Sequence, residues 1–471
     1  MQGIIRLAAL TAATALAGCA SFSPDGGMSA VADITARTTA KEVASVKSDD
    51  DAERVRVATR RLLARPLSAD AAVQVALFNN KGLQAAYHQL ALSEADMVEA
   101  SLPPNPTFSL MRISGDGALE AERQVAGDIL ALATLPLRSE IARERFHQAQ
   151  LRAALATLRL AAEVRRAHVR VVATNELVAL LVEAQSAAES TARLAQKLGE
   201  TGALNRLDQA REQVFYAETT AELAGARRMA SSARERLIRL MGLWGDDLNF
   251  RLPERLPALP RRPLTQPFVE ADAVGHRIDL QIARLELSAL ATSLQLSEAT
   301  RFVTLLDLAG IDRKTIEPDG RVIRERGFDV QFQIPIFDGG EVRVRQGTEI
   351  YNIAFNRLTE RAVTIRSEAR DAYRSYRAAY DIAGHYAREV LPLRQIISEE
   401  MQLRYSSMQV DIFALLLEAR QRLASRRAAI DAKRDFFLAE AELSAAVNGG
   451  GGTTGEDTAR QTASALAPGN D

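Results

Sequence analysis

The side chains best suited to catalysis or metal binding are spread thinly along this chain. Five histidines occur, about one to each helical stretch, and none forms a pair at metal-ligand spacing: His88, His147, His168, His276 and His385. The glycine pairs that begin at Gly339 and Gly449 lack the strand–GxGxxG–helix context or the Lys-Ser/Thr ending of a phosphate-binding loop. The eight methionines do not cluster. We therefore predict no enzymatic activity, no cofactor and no metal site.

Cys19 is the only cysteine among 471 residues, and it is the one side chain for which a covalent modification is predicted. An apolar run from Leu7 to Ala17 is too short to span a bilayer, which indicates that residues 1–18 are a secretory signal peptide. The motif Leu16-Ala17-Gly18-Cys19 resembles the lipobox of bacterial lipoproteins, which implies acylation of Cys19 and attachment to membrane lipid. The residue after Cys19 is Ala20. An aspartate at this position would indicate retention at the inner membrane. An unmodified cysteine is the alternative.

The composition indicates long helices and shows no overall excess of basic residues. Charge is balanced, with 59 Lys and Arg against 60 Asp and Glu, so nucleic acid is not an expected partner. Aromatic residues make up only 5% of the chain, while alanine, leucine, arginine and glutamate dominate long stretches, as is typical of helices packed side by side. No apolar run reaches the length of about 18 residues that a transmembrane helix needs, so none is predicted.

The chain divides into two similar halves joined by a proline-rich linker. Three landmarks recur in the same order at nearly constant spacing, which predicts an internal duplication. In one of them, Leu135-Pro136-Leu137 of the first half corresponds to Ile334-Pro335-Ile336 of the second half. The predicted segments after the signal peptide are a lipid-anchored N-terminal segment 19–66, a first repeat 67–246, a linker 247–267, a second repeat 268–448 and a flexible tail 449–471.

Each repeat is predicted to contain a helix, two strands and a long antiparallel helical hairpin. The strand pairs fall at 106–137 and 301–337, and the hairpins at 139–241 and 341–447. The proline-free stretch from Ser139 to Leu198 would be roughly 90 Å long as a helix. A seam at alternating steps of three and four favours coiled-coil packing: Leu177, Leu180, Ala184, Ala187, Thr191, Leu194 and Leu198. A plain coiled-coil rod is the alternative, and the strands argue against it.

The clearest strand, Phe328–Ile336, alternates apolar and polar side chains, so one face is apolar and the other polar. Its length matches a tilted strand that crosses a bilayer, although a half-buried strand of a soluble sheet gives the same pattern. In the first pair we place a strand at Val125–Leu137, and we expect the charged segment Asp312–Arg326 to be an external loop. One chain would supply about four strands, whereas the smallest closed barrels need about eight, so several chains must share one barrel.

Nearly the whole mature chain resembles the TolC-like outer-membrane efflux family, in its lipoprotein form. The similarity rests on the two repeats, on Pro335–Gly340 where strand leads into helix, on the turn Gly202–Asp208 and on the opening Ala76–Ala85. It implies a mainly α fold with a small transmembrane β portion, in which long antiparallel helical hairpins form an α-barrel and four strands per chain contribute to a shared β-barrel. It also implies a homotrimer in the outer membrane that extends into the periplasm and works with a periplasmic adaptor protein and an inner-membrane pump.

The resemblance places the functional residues at the tips of the two hairpins. Four residues are candidates for adaptor docking: Gly202, Asn205, Tyr405 and Met408. Family members narrow their channel here with acidic side chains, which implies three candidates for pore constriction: Asp208, Asp411 and Glu418. Solvated charges on a helix surface are the alternative for each of the three. The family has a glycine where this chain has Met408, which predicts that the second tip closes differently.

The predicted function is that of a channel subunit in a tripartite efflux or export system. Such a channel is a passive conduit from periplasm to exterior, and contact with the adaptor would gate it at the helical tips by shifting the population of its states. The alternative is a periplasmic adaptor or a structural lipoprotein with coiled-coil hairpins, of which an adaptor would need a domain of many consecutive short strands. A lipid-anchored enzyme would need a compact α/β core and a polar pocket, and the pattern indicates neither.

Overall fold

The computed structural model describes residues 21–449. The predicted signal peptide, Cys19 and the predicted tail beyond Gly449 lie outside the described residues. The elements are, in order, α1 (Met28–Thr39), α2 (Asp49–Leu63), α3 (Ala69–Asn79), α4 (Lys81–Ser101), β1 (Thr107–Gly115), β2 (Ala118–Asp128), α5 (Ile129–Glu200), α6 (Arg206–Met241), a 3-10 turn (Gly245–Leu248), α7 (Val269–His276), α8 (Ile278–Ala299), β3 (Leu305–Ile316), β4 (Val322–Gln333), α9 (Glu341–His385), a π-helical turn (Tyr386–Val390), α10 (Leu391–Ser406) and α11 (Ile412–Asn448).

The chain folds into two compact units, which we call the sheet unit and the helical unit. The sheet unit comprises Ala86–Ala153, Asp279–Ala362 and the described residues up to Val31, and the helical unit comprises Ala32–Ala85, Ala154–Ile278 and the described residues from Val363 onward. The predicted fold class is confirmed in that the described chain is mainly helical with one small sheet. The same order of helix, strand pair, long helix and return helix occurs in both halves. The internal duplication itself stays a prediction.

One described helix is a membrane-span candidate by length and composition, although none was predicted. It is α5, and 39% of its most apolar window is buried inside the protein. A single helix of this kind is weak evidence for a span, because the core helix of a soluble protein passes the same test.

The sheet unit holds four antiparallel strands in the order β1-β2-β3-β4, so β1 and β4 are its edges. Asp116 and Gly117 make the two-residue turn between β1 and β2, with φ angles of 50° and 79°. Two consecutive left-handed residues form the turn type whose twist matches that of the flanking strands. β2 and β3 are distant in sequence and pair from Leu119 opposite Ile316 to Asp128 opposite Asp307.

The two faces of the sheet differ in chemistry. The face that we call the phenylalanine face carries Phe108, Val125, Gly310 and Phe328 in one registered row, and Val330 and Phe332 further along β4. Its rings are unusually bare, since Phe328 is 80% exposed and Phe108 is 73% exposed. The opposite face, which we call the carboxylate face, carries Glu120, Glu122, Glu325, Asp307 and Asp329.

The predicted strand at Val125–Leu137 is wrong in its second half. β2 ends at Asp128, and the side chain of Asp128 accepts a 2.7 Å hydrogen bond from the backbone N–H of Ala131. An aspartate in this position satisfies a free N–H at the start of a helix, and the following Leu-Ala-Leu-Ala residues have high helix propensity. Pro136 therefore lies inside α5, and residues 129–137 of the predicted strand belong to this helix.

The charged segment Asp312–Arg326 is also not an external loop, because most of it is strand. β3 continues to Ile316 and β4 begins at Val322, which leaves only a short turn between them. Opposite charges on neighbouring strands explain why so polar a segment forms a ladder. Arg326 lies 3.0 Å from Asp312 across β3 and β4, and Arg313 lies 2.7 Å from Glu122 across β2 and β3.

The passage from β4 into α9 explains the Pro335–Gly340 motif. Gly339 and Gly340 have φ angles of 57° and 71°, in the left-handed region that favours glycine. A Cβ atom on Gly340 would collide with the carbonyl oxygen of Arg301. The Arg301 side chain holds the turn from the other side, since its Nε donates a 2.8 Å hydrogen bond to the Gly339 carbonyl.

The core of the helical unit ties the proline-rich linker to the long helices. Tyr376 and Phe436 are fully buried, with ring centroids 5.5 Å apart, and Tyr380 packs edge-on against Phe436 at 5.7 Å. The Tyr376 hydroxyl accepts a hydrogen bond from the Leu264 N–H at 2.9 Å, and the Tyr380 hydroxyl donates one to the Pro260 carbonyl at 3.0 Å. The linker is non-helical after the 3-10 turn, as predicted, and the two tyrosines fix its path.

The predicted seam of α5 is correct at its start and shifted afterwards. Leu177 and Leu180 are buried, but Leu194 is 49% exposed and Ala187 is exposed too. The buried positions further along are Leu181, Ala188, Ala192 and Ala195. A straight helix has 3.6 residues per turn, so its buried stripe drifts from a strict seven-residue repeat.

Candidate functional site

The first hairpin tip is the turn between α5 and α6, and it is built by Gly202, Asn205 and Asp208. Gly202 has a φ of 75°, which allows the chain to reverse after α5. Asn205 caps α6, because its Oδ1 accepts a 2.9 Å hydrogen bond from the Asp208 N–H and its Nδ2 donates a 2.7 Å bond to Asp208 Oδ2. Arg211 lies 3.0 Å from the other Asp208 oxygen. The Asp208 carboxylate is therefore held by its own helix end.

The second tip, between α10 and α11, keeps the backbone shape of a glycine turn without a glycine. Met408 has a φ of 59°, a left-handed conformation that costs a non-glycine residue about 1–2 kcal/mol. Its N–H bonds to the Tyr405 carbonyl at 3.0 Å, and the N–H of Gln409 bonds to the Arg404 carbonyl at 2.8 Å, so the end of α10 is closed. The Met408 side chain is 94% exposed. The chain still reverses here, so this tip differs from a glycine tip in the backbone strain at Met408 and in the exposed Met408 side chain.

Asp411 and Glu418 differ sharply in environment. Asp411 is exposed and caps α11, accepting a 2.8 Å hydrogen bond from the Ala414 N–H. Glu418 lies two turns further along and is buried, with one oxygen 3.0 Å from Arg394 of α10 and the other buried without a hydrogen-bond partner. Arg394 also donates a 2.8 Å hydrogen bond to Gln421. The Glu418 carboxylate thus joins α11 to α10, the two helices of the second hairpin tip.

Four ion pairs between described residues join the second hairpin to the first, and one of them links Arg166 of α5 to Glu442 of α11 at 2.8 Å. Arg420 of α11 lies 2.8 Å from Glu212 of α6, whose side chain is only 5% exposed, and its guanidinium lies 4.2 Å from the centroid of the Phe215 ring. The other two pairs, Arg427 with Glu222 at 3.1 Å and Arg426 with Glu183 at 3.2 Å, are about half exposed. The Glu212–Arg420 pair is therefore the one whose charges are most removed from water.

A cavity of about 1290 Å³ lies further along the helical unit, between α5, the linker, the end of α9 and α11. Its wall carries several arginines and Lys433, whose ammonium donates a 2.7 Å hydrogen bond to the Leu256 carbonyl. Burial lowers the pKa of Lys433 from its ordinary value, and nearby Glu176 partly opposes the shift. Arg234 binds the linker: it donates hydrogen bonds to the backbone carbonyls of Leu248 and Phe250, and its guanidinium stacks over the Phe250 ring at 4.2 Å.

Metal-ligating side chains do not converge in the part of the chain that the structure describes. No group of three or more His, Cys, Asp or Glu side chains within the range 21–449 is placed to hold a metal ion. Nε2 of the most buried histidine, His168, donates a 2.8 Å hydrogen bond to the Leu67 carbonyl, and burial lowers the pKa of His168. Its contacts are those of a core residue.

The structure groups the predicted residues and adds others that the sequence did not indicate. Gly202, Asn205 and Asp208 share one turn, Tyr405, Met408 and Asp411 share the other, and Glu418 lies on the helix behind it. The residues missed are Glu212, Arg394 and Arg420. The only sequence signal for them was that Arg420 ends Leu417-Glu418-Ala419-Arg420, a segment that matches Leu207-Asp208-Gln209-Ala210-Arg211 of the first half. Such a match does not reveal the partner of Arg420.

Comparison with solved structures identifies the fold. The outer-membrane channel OprN has a TM-score of 0.68 at 17% identity, over 92% of this chain and 97% of that one. CusC, solved in conformations that accompany folding and transmembrane channel formation, has a TM-score of 0.67 at 16% identity, over 81% of this chain and 92% of its own. The CmeC outer-membrane channel of Campylobacter jejuni has a TM-score of 0.66 at 14% identity, over 90% and 93% of the two chains.

No protein-family model and no curated sequence matches this chain. The chain has the fold of these outer-membrane channels, and this is the fold that the resemblance to the TolC-like family implies.

Proposed function

We propose that this chain is a subunit of an outer-membrane efflux channel, a passive conduit from periplasm to exterior that carries out no chemical step. The observation that carries the proposal is the open four-stranded sheet with its exposed phenylalanine face. Exposed aromatic side chains of this kind are unfavourable in water and are favoured next to lipid. The neighbours that share the fold are described as outer-membrane and transmembrane channels, which supports the same role here.

The edges of the sheet favour a homo-oligomer. Strands β1 and β4 each have one side without a strand partner in the described chain, and unpaired backbone groups in a membrane cost several kcal/mol each. Pairing of β1 from one subunit with β4 of the next would remove both edges. Four strands from each subunit of a homotrimer would close one shared barrel, continued by an α-barrel of the hairpins.

The hairpin tips are the proposed gate and docking surface. Gly202, Asn205, Tyr405 and Met408 would contact a periplasmic adaptor, which joins the channel to an inner-membrane pump. Asp208 and Asp411 are the proposed constriction residues. Glu418, being buried against Arg394, and Glu212, being buried against Arg420, would instead hold the closed arrangement of the hairpins. Opening would then require the Glu212–Arg420 pair between the two hairpins to separate.

An N-terminal lipid at Cys19 would fix the subunit to the membrane in addition to the barrel. The alternative of a periplasmic adaptor or a structural lipoprotein is less well supported, because the strands within residues 21–449 form a single sheet with an exposed apolar face. For the two repeats, the linker and the tail we propose the same boundaries that the sequence predicts.

The decisive experiment is to extract the full-length protein from membranes, measure its mass and oligomeric state, and record conductance in planar bilayers. An acylated trimer that conducts supports the proposal. A monomer without conductance, recovered from the soluble fraction, contradicts it and would favour the structural-lipoprotein alternative.

A further inference from the structure

The phenylalanine face carries a band of positive charge near the turns, with only the row of Leu119, Ile316 and Val322 beyond it. Strand register places Arg123, Asp312 and Arg326 in one row across β2, β3 and β4, directly beside the row that holds Phe108 and Phe328. The next row toward the turns holds Arg112, Lys314 and Arg324. Successive rows on one face are two residues apart, about 7 Å. The cations therefore lie between the apolar band and the turn end of the sheet.

Most of these cations have no counter-charge within the described chain. Asp312 is paired with Arg326 at 3.0 Å, so one acid stands against five basic side chains in the two rows. Arg112, Arg123, Lys314 and Arg324 make no ion pair and no side-chain hydrogen bond with residues 21–449, and the three arginines are exposed.

The charges of the same strands are segregated by face. At the same height the carboxylate face carries Glu120, Glu122 and Glu325, with Arg313 paired to the first two at 3.0 and 2.7 Å. Three acids and one arginine on one face thus stand behind five cations and one acid on the other. Like charges gathered on one face repel each other, so an external anion bound here would stabilise this arrangement.

We propose that this cationic band, defined as Arg112, Arg123, Lys314, Arg324 and Arg326, binds the phosphate groups of anionic lipids in the leaflet at the turn end of the sheet. The inference rests on the proposed function, because it requires the phenylalanine face to contact lipid. Guanidinium groups bind phosphate oxygens through paired hydrogen bonds, and the adjoining apolar rows would contact the acyl chains of the same lipid. The occupant is thus a phosphorylated lipid, since a free phosphate would leave the apolar rows unused.

The test compares lipid binding to the full-length oligomer in detergent by native mass spectrometry. The probes are diphosphorylated lipid A, its monophosphorylated form, phosphatidylcholine and inorganic phosphate. The test variant is the triple substitution Arg112→Gln, Arg123→Gln and Arg324→Gln, which leaves the Asp312–Arg326 pair in place. The matched control removes three exposed arginines from α6: Arg227→Gln, Arg228→Gln and Arg236→Gln.

We expect the wild-type oligomer to prefer the diphosphorylated lipid to phosphatidylcholine and the triple variant to lose at least about tenfold in affinity, because each basic residue near an anionic membrane surface strengthens binding several-fold. The control variant should bind as the wild type does. Equal binding by the triple variant and the wild type would overturn the proposal, as would equal binding of lipid A and phosphatidylcholine. Retention of inorganic phosphate that competes with the lipid at equal concentration would also contradict it.

Conductance of the same preparations separates this proposal from the channel assignment. A triple variant that assembles and conducts normally but no longer retains the phosphorylated lipid supports the band. If the triple variant conducts and also retains the lipid unchanged, the band is wrong while the channel stands. A wild-type protein that neither assembles nor conducts refutes the channel and with it the lipid-facing role of this band.

Discussion

The Glu212–Arg420 pair makes a sharp prediction about opening. The substitution Arg420→Met leaves the Glu212 carboxylate, 5% exposed, without its counter-charge, and it also removes the guanidinium from the Phe215 ring. Breaking a buried ion pair by removing one partner costs about 3–5 kcal/mol. Because the Arg420 side chain is 33% exposed, we take the lower end, about 3 kcal/mol. If the pair exists only in the closed state, this shifts the closed–open equilibrium toward open by on the order of 100-fold.

The assay is single-channel recording in planar bilayers, with the open probability as the measured quantity. Uptake of a large polar antibiotic by cells that produce the channel gives an independent measure. The double variant Glu212→Leu with Arg420→Met removes both charges and should return the open probability to within a few-fold of wild type, because two apolar side chains can replace a buried pair. Arg427→Met, at a pair about half exposed, should change it less than about fivefold.

Two results would refute this reasoning. An Arg420→Met channel as tightly closed as the wild type would mean that the pair does not hold the closed state. A double variant as open as the single variant would mean that the Arg420 side chain acts through packing, for example on Phe215, and that relief of an unpaired buried charge is not the cause.

Three further predictions concern stability. Met408→Gly should stabilise the second tip by up to about 1 kcal/mol, since relief of the left-handed strain exceeds the added chain entropy, and slower hydrogen exchange at the end of α10 would show it. Gly340→Ala should cost at least about 2 kcal/mol in denaturant unfolding because its Cβ meets the Arg301 carbonyl, whereas Gly310→Ala, with open space around it, should not; equal losses would contradict the argument. Burial lowers the pKa of His168, so below pH 6.5 the unfolded chain binds more protons than the folded chain. Thermal stability should therefore be full above pH 6.5 and fall as the pH drops toward the pKa of folded His168. The variant His168→Gln should flatten this dependence, and an identical pH profile in the variant would exclude His168 as its source.

Much of the fold could be predicted from the sequence because its signals are local. The crowded prolines of the linker exclude a helix, and Gly202 and Asn205 predict a turn followed by a helix start, as observed. Alternation at Phe328–Gln333 correctly predicted one apolar and one polar face. The capping role of Asp128 was an equally local signal that the strand assignment overlooked, because the Leu-Ala run after it also fits an apolar strand face.

The pairings that matter for the candidate site were decided by the tertiary structure. Arg420 and Glu212 lie 208 residues apart, and in the sequence Arg420 resembles any other arginine on a helix surface. The charged segment Asp312–Arg326 looks like a solvated loop until the register brings Glu120 and Glu122 beside Arg313, and Arg326 beside Asp312. Helix starts, turns and face polarity depend on neighbouring residues and were therefore readable from the sequence. The partner of each charged side chain depends on strand register and helix packing. Both are set by the burial of apolar side chains over the whole chain, so neighbouring residues do not reveal them.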